Sequence, residues 1–305
     1  MATMTKDSGQ SDRGGGGRRS ILITGCSSGI GRATAVAFAR KGWRVFATMR
    51  DPSRAPQLAQ EAAAQGWALT TPALDVNSDA SVDSTVASVL TETGGRLDAL
   101  VNNAGYYCWG PVEETSPDEL RAQLETNVVG VLRVTRAALP AMRARGDGIV
   151  VNISSVSGRV VLPAVGPYHA SKWALEALCE SLRYELIPFG VRVVLIEPGP
   201  FATDLHAKEV RSAASRDPKS PYAALTAEYT RQSARLSRGD PGRVVQAVEQ
   251  AVDARNPRLR WPVGPSSLVG TLGRHLTPDR LYELIVRIAF KLRRKRTPAY
   301  RPSSS

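Results

Sequence analysis

The sequence predicts an α/β protein of the Rossmann type, a doubly wound seven-stranded parallel sheet with helices on both faces. Three observations carry this. Short apolar runs alternate with helical patterns from Ser20 onward, which is the rhythm of βαβ units. The turn Gly25-Cys26-Ser27-Ser28-Gly29-Ile30-Gly31 follows the first apolar run and opens a helix, the context a phosphate-binding loop requires. Tyr168 and Lys172 stand four residues apart in a helical stretch, so they share one face.

Taken in order, the strands are expected at residues 21–24, 45–49, 68–74, 99–102, 148–153, 191–197 and 258–263. Helices fill the intervals: 33–41, a polar helix ending at Gln65, 117–139, and 165–187, which stops before Pro188. Crossovers of this kind cover both faces of the sheet. Residues 204–240 break the rhythm, being rich in Ala, Ser, Arg and Lys with Pro218 and Pro221 inside. They read as a lid over a site or as a surface loop with a helix or two. After Gly264 the sheet is complete. Thr277-Pro278 then starts a helix with Leu281, Leu284, Ile285, Ile288 and Leu292 on one face and the basic run Lys291-Leu292-Arg293-Arg294-Lys295-Arg296 at its end. That helix either docks on its own domain or lies at a membrane surface. The chain thus divides into a glycine-rich tail over 1–19, too polar to bury anything and expected to be disordered, a dinucleotide-binding catalytic domain over 20–264, and an extension over 265–305.

With 42% apolar and 22% charged residues, the composition excludes disordered and fibrous classes. The net charge of +12 invites a nucleic-acid reading, yet its distribution argues otherwise. Residues 286–305 carry seven Lys/Arg and no acid, residues 1–20 carry four against two Asp, and the long middle keeps only three of the twelve charges. No nucleic-acid motif accompanies the basic end, so no nucleic-acid partner is expected. Cys26, Cys108 and Cys179 form no disulfide framework and have no metal-ligand spacing, so no metal and a reducing, cytoplasmic setting are expected, with peripheral membrane contact through the basic helix as a further option. No apolar run reaches the ~20 residues that span a bilayer.

The chemistry gathers at two places. Glycines in the 25–31 turn let a pyrophosphate approach the backbone, and the helix that follows offers free amides and a positive dipole end. Arg50, 19 residues after Gly31 at the end of the second strand, stands where such folds choose between ribose hydroxyls and a 2′-phosphate. It favours NADP(H). Asp51 beside it could accept from ribose hydroxyls, which keeps NAD(H) as the alternative. At the second place, the Lys172 ammonium is expected beneath the Tyr168 ring, lowering the phenol pKa so that the tyrosine exchanges a proton while hydride moves at carbon. Tyr106, Tyr107, Cys108 and Trp109, together with the nearly uncharged stretch 156–165, offer an apolar mouth for a lipophilic ketone or secondary alcohol. Any one of these aromatics, taken singly, reads as ordinary core.

Thr24-Gly25-x-x-x-Gly29-Ile30-Gly31, Asn102-Asn103-Ala104-Gly105, Asn127 in the fourth helix, Ser155 placed 13 residues before Tyr168, Tyr168-x-x-x-Lys172, and Pro198-Gly199 with Thr203 together resemble the short-chain dehydrogenase/reductase superfamily in its single-domain branch. The resemblance spans about residues 20–264. The strand end from Phe46 to Asp51 and the helix from Ala174 to Leu182 look like the 17β-hydroxysteroid and retinol dehydrogenase members. It implies that Tyr168 is the acid/base, that Lys172 tunes it and holds the nicotinamide ribose, that Ser155 hydrogen-bonds the substrate oxygen, and that Asn127 helps to hold a water in a proton relay. It further implies that Ser27, Ser28 and the glycines cradle the dinucleotide, Asp75 and Val76 meet adenine, and Asn103, Ala104 and Gly105 line the cofactor. Pro198 and Gly199 then belong to the cofactor site and Thr203 binds the carboxamide, and a homo-oligomer, dimer or tetramer, is expected. A dinucleotide sensor that has lost catalysis, or a membrane-surface protein, is the rival class, and the intact Asn127, Ser155, Tyr168 and Lys172 set speaks against the sensor.

Overall fold

The structure is a computed structural model, and it describes residues 17–201, 210–235 and 239–293. Nine strands occur among these residues: β1 (Ser20–Ile23), β2 (Arg44–Ala47), β3 (Leu69–Thr70), β4 (Ala99–Asn102), β5 (Cys108–Trp109), β6 (Gly148–Ile153), β7 (Val191–Pro198), β8 (Val210–Arg211) and β9 (Arg260–Val263). Seven form one parallel sheet in the order β3-β2-β1-β4-β6-β7-β9, and β5 pairs with β8 apart from it. The chain runs outward from β1 to β3, then returns to β4 and runs the other way. That reversal opens a crevice at the carboxyl ends of β1 and β4, where ligands of open α/β sheets bind.

The helices are α1 (Gly29–Arg40), α2 (Pro56–Gln65), α3 (Asp79–Glu92), α4 (Pro117–Leu124), α5 (Gly130–Arg145), α6 (Gly166–Leu186), α7 (Ala223–Arg235), α8 (Gly242–Asp253), α9 (Pro265–Leu276) and α10 (Asp279–Ala289). Strand side chains alternate between two cores, as the period of two demands. Ile21, Ile23, Val151 and Ile196 join Phe38 of α1 and Val248 of α8. Leu22, Leu100, Val150 and Leu195 join Val86 of α3, Val134 of α5 and Leu175 of α6 on the other face.

Several elements depart from expectation. The third strand, expected over 68–74, shrinks to two residues because Pro72 lacks an amide to donate; its carbonyl accepts from the Met49 amide, and pairing resumes only as a single bridge between Met49 and Ala73. The helix expected over 117–139 is three pieces, with a π turn over Glu125–Val129 between α4 and α5. α5 also carries Pro140 and runs on to Arg145, where Gly146 closes it at φ +67°. Pro140 and Arg136, whose carbonyl the missing amide frees, both lie on the exposed face, so the interruption is mild. Arg19, assigned to the tail, belongs to the body: its guanidinium lies 3.9 Å over the Trp43 ring and pairs with Asp253. Residues 1–16, 202–209, 236–238 and 294–305, which include most of the expected tail, parts of the 204–240 insertion and half of the basic run, lie outside the described residues.

Candidate active site

The crevice is a cleft of about 750 Å³ at the carboxyl ends of the strands. Its floor is backbone. The loop after β1 carries Gly25 at φ +74°, and a Cβ there would stand 2.8 Å from the Ala104 Cα. A Cβ on Gly31 would fall 2.5 Å from the Gly25 carbonyl oxygen and 2.4 Å from Asn103 Nδ2. The 24–31 turn and the end of β4 therefore touch main chain to main chain. Hydrogen bonds fix that approach: the amides of Asn103 and Ala104 donate to Thr24 Oγ1, both at 3.0 Å, and Asn103 Nδ2 donates to the carbonyls of Thr24 (2.9 Å) and Gly25 (3.1 Å). Gly25, Ser27, Ser28, Gly29 and Ile30 line the cleft at the start of α1, where first-turn amides have no intrahelical acceptor. Gly31 lies beneath the lining as a packing residue.

At the far end the cleft is lined by Arg50, Asp75 and Val76. Arg50 and Asp51 part company here. Arg50 is exposed toward the cleft, whereas Asp51 Oδ1 accepts from the Ser53 amide (3.0 Å) and hydroxyl (2.6 Å), capping a short turn. Those bonds hold the Asp51 carboxyl below the usual carboxylate range. Asn103, Ala104 and Gly105 line the middle, and Pro198 and Gly199 at the end of β7 close the other wall. Thr203 lies outside the described residues.

Tyr168 and Lys172 both project from α6 into the cleft, beside Ser155 after β6. Lys172 Nζ donates to the Ile153 carbonyl at 2.8 Å and lies 5.7 Å from the centroid of the Tyr168 ring. The expected lowering of the tyrosine pKa is not what these surroundings produce. Burial pushes Tyr168 up to about 12, against a hydrogen bond from Ser155, and the nearby Tyr229 raises it further. Burial likewise brings Lys172 down to about 8, with Glu176 acting the other way. Desolvation outweighs the lysine charge because both groups are enclosed. Ser154, next to Ser155, is buried with its hydroxyl unpartnered, while Ser155 Oγ also accepts from the Ser157 amide at 3.1 Å.

Asn127 sits in the π turn, buried just below the cleft. Its side chain is committed: Oδ1 accepts from the Tyr106 amide (3.1 Å), and Nδ2 donates to the Tyr106 carbonyl (3.0 Å) and Ser171 Oγ (3.2 Å). His169 is structural, its Nδ1 donating to the Ser157 carbonyl and its Nε2 accepting from the Leu162 amide, both at 3.0 Å. Behind Lys172, Glu197 is buried near Arg260 (3.5 Å) and Arg159 (3.6 Å); burial, and then Glu176, push it up to about 7.

Beside Tyr168 an aromatic cluster assembles from four separate elements. The Tyr107 ring meets Tyr168 edge-on at 4.6 Å, the Tyr107 and Tyr229 hydroxyls hydrogen-bond, and Tyr229 tilts against Trp109 at 5.1 Å. Tyr107 and Trp109 thus pack against Tyr168 in a buried cluster and do not line the cleft themselves. Tyr229 comes from α7, inside the 204–240 insertion. Sequence reasoning missed Tyr229 and Phe201: no spacing signal links Tyr229 to Tyr107, 122 residues away.

Residues 19–214 match the family model of the short chain dehydrogenases. The chain is 38% identical over 255 residues to human 17-beta-hydroxysteroid dehydrogenase type 1, covering 80% of this chain and 77% of that one. It is 33% identical over 276 residues to the NADPH-dependent 3-dehydrocapnine reductase of Ornithobacterium rhinotracheale, with 88% and 95% covered. A solved short-chain dehydrogenase from Streptomyces avermitilis superposes with a TM-score of 0.77 at 38% identity, over 90% of this chain and 98% of that one.

Proposed function

Because the chain belongs to the short-chain dehydrogenase/reductase family, we propose that it is an NADP(H)-dependent oxidoreductase acting on a ketone or secondary alcohol of a lipophilic substrate. The observation that carries the reading is the convergence of Ser155, Tyr168 and Lys172 in one cleft with a glycine-built floor. The cradle fits a dinucleotide, since its backbone surface would be filled by a Cβ at Gly25 and carries no carboxylate over residues 25–31. A bound nicotinamide dinucleotide supplies or accepts the hydride.

Tyr168 keeps its proton at neutral pH with a pKa near 12, so it is poised to donate. As hydride reaches the carbonyl carbon, charge develops on the oxygen; Ser155 donates a hydrogen bond to that oxygen and Tyr168 transfers its proton there. In the oxidative direction Tyr168 takes the proton back. Lys172, with a pKa near 8, stays largely protonated at pH 7 and offsets the negative charge left on the phenolate oxygen. Asn127, with its side chain spent on Tyr106 and Ser171, positions the loop that carries the aromatic cluster. Arg50 supplies a positive charge for a 2′-phosphate, and Asp51, turned onto Ser53, does not compete for ribose hydroxyls. The NADPH dependence in the name of the 3-dehydrocapnine reductase agrees.

The lipophilic substrate reading is supported by the apolar surroundings of Tyr168, where Tyr107, Trp109, Val165 and Tyr229 pack, since apolar area next to the reacting group rewards an apolar ligand. Its test is NADPH consumption by the purified protein against lipophilic ketones, aldehydes and quinones, with Tyr168→Phe alongside. Consumption confined to the unmutated protein is expected. NADPH binding without consumption of any carbonyl would make the chain a sensor.

A further inference from the structure

The extension after Gly264 turns its aliphatic residues away from the domain. On α9 the body is met by small or polar groups: Ser267 Oγ donates to the Glu197 carbonyl at 2.7 Å, and Gly270 faces Val156 and Val160. At 100° per residue, Ser267, Gly270, Thr271 and Arg274 occupy one side, and Leu268, Val269, Leu272 and Leu276 the opposite one. On α10 the body is met by Tyr282, whose hydroxyl donates to the Val161 carbonyl, and by the buried Phe290 just beyond the helix. Leu281, Leu284, Ile285 and Ile288 form a separate stripe. All eight aliphatic side chains are at least 49% exposed. The expected stripe of the C-terminal helix therefore exists, but it does not dock on its own domain. Aliphatic exposure concentrated on two successive helices marks an interaction surface.

Charge selects the occupant. Arg280, Arg287, Lys291 and Arg293 accompany the α10 stripe, and the sequence continues through Arg294, Lys295, Arg296 and Arg301, with no acid over residues 286–305. The two acids of α10 are already paired, Asp279 with Arg274 (2.6 Å) and Glu283 with Arg287 (3.9 Å). Two copies meeting through this surface would bring like charges together, whereas an anionic lipid surface accepts the aliphatic side chains and the cations at once. The surface is also joined to the site: Lys291 pairs with Glu228 at 3.3 Å, and Gln232 donates to the Ala289 carbonyl. Glu228 and Gln232 flank Tyr229 on α7, the tyrosine that packs beside Tyr107 and Trp109.

We propose that α9 and α10 form an interfacial surface that seats the protein on an anionic bilayer, and that α7 links this surface to the substrate pocket, so that a lipophilic substrate is taken up from the membrane. The uptake half rests on the lipophilic-substrate reading above; the seating half does not.

The test is co-sedimentation of the full chain with phosphatidylcholine vesicles, with and without phosphatidylserine, at low and high salt. Beside it runs the variant Leu272→Gln/Leu276→Gln/Ile285→Gln/Ile288→Gln, with folding checked by thermal melting. Binding that requires phosphatidylserine, weakens with salt and falls by about 10²-fold in the variant is expected. Turnover of a water-soluble carbonyl should be unchanged in the variant, while turnover of a vesicle-borne ketone should fall with the partitioning. No vesicle binding, or binding that the variant leaves intact, overturns the proposal. So does light scattering that shows a multimer which the variant splits into smaller units, since a second copy then covers the surface. Failure of the proposed function is separately visible, as absent turnover of every carbonyl with vesicle binding intact.

Discussion

The two halves of the proposed site are built from different materials. The nucleotide half is main chain pressed on main chain, with Gly25 and Gly31 against Ala104 and Asn103 and no room for a Cβ. The substrate half is side chain against side chain, with Tyr107, Trp109, Tyr168 and Tyr229 drawn from the β4–β5 loop, β5, α6 and α7. A surface made of backbone has one shape, which suits a ligand that does not vary. A surface made of rings changes with a single substitution, which suits a substrate that differs between relatives.

The sharpest way to break the first half is Gly25→Ala. The added methyl meets Ala104 at 2.8 Å and a positive φ that alanine disfavours, so a destabilisation of about 2 kcal/mol or more and loss of NADPH binding are expected, read by thermal melting and fluorescence titration. Arg50→Ala leaves that backbone untouched and removes one charge. NADPH affinity should drop by roughly 10- to 100-fold and NADH affinity by less than about threefold; equal losses for both would reject the 2′-phosphate contact. Tyr229→Ala tests the second half alone. KM for a lipophilic ketone should rise about tenfold with the NADPH Kd unchanged, and a shifted Kd would show that the halves are not separable.

The smallest effect concerns the support behind Lys172. Glu197, pushed up to about 7 from 4.5, binds its proton more tightly folded than unfolded. Its contribution to stability is thus complete below pH 4.5 and lost as pH rises through 7. Glu197→Gln should remove that part of the slope of Tm against pH, and an unaltered slope would place the titration elsewhere.

These halves were not equally legible. The nucleotide half rests largely on residues that lie within a few positions of each other, because a tight turn and a helix start are local demands: Gly25 to Gly31 and Arg50 could be named from spacing, while Asn103 to Gly105 came only through the family resemblance. The Tyr168/Lys172 pair was legible for the same reason, one helix face, but the direction of the tyrosine shift was not, since burial is a property of the whole fold. Tyr229 could not be read, because only the packing of α7 across β5 brings it to Tyr107. α9 was invisible for the opposite reason: its inner face is Ser267, Gly270 and Thr271, and its apolar stripe points outward, inverting the rule by which buried helices are recognised.

The central claim is that Tyr168 performs the proton transfer in a cleft whose dinucleotide half stands independently of it. Tyr168→Phe, assayed for NADPH Kd by fluorescence and for ketone-dependent NADPH consumption in the same preparation, tests both parts. An unchanged Kd with consumption reduced by about 10³-fold or more is the predicted result. Consumption that survives the substitution would contradict the account.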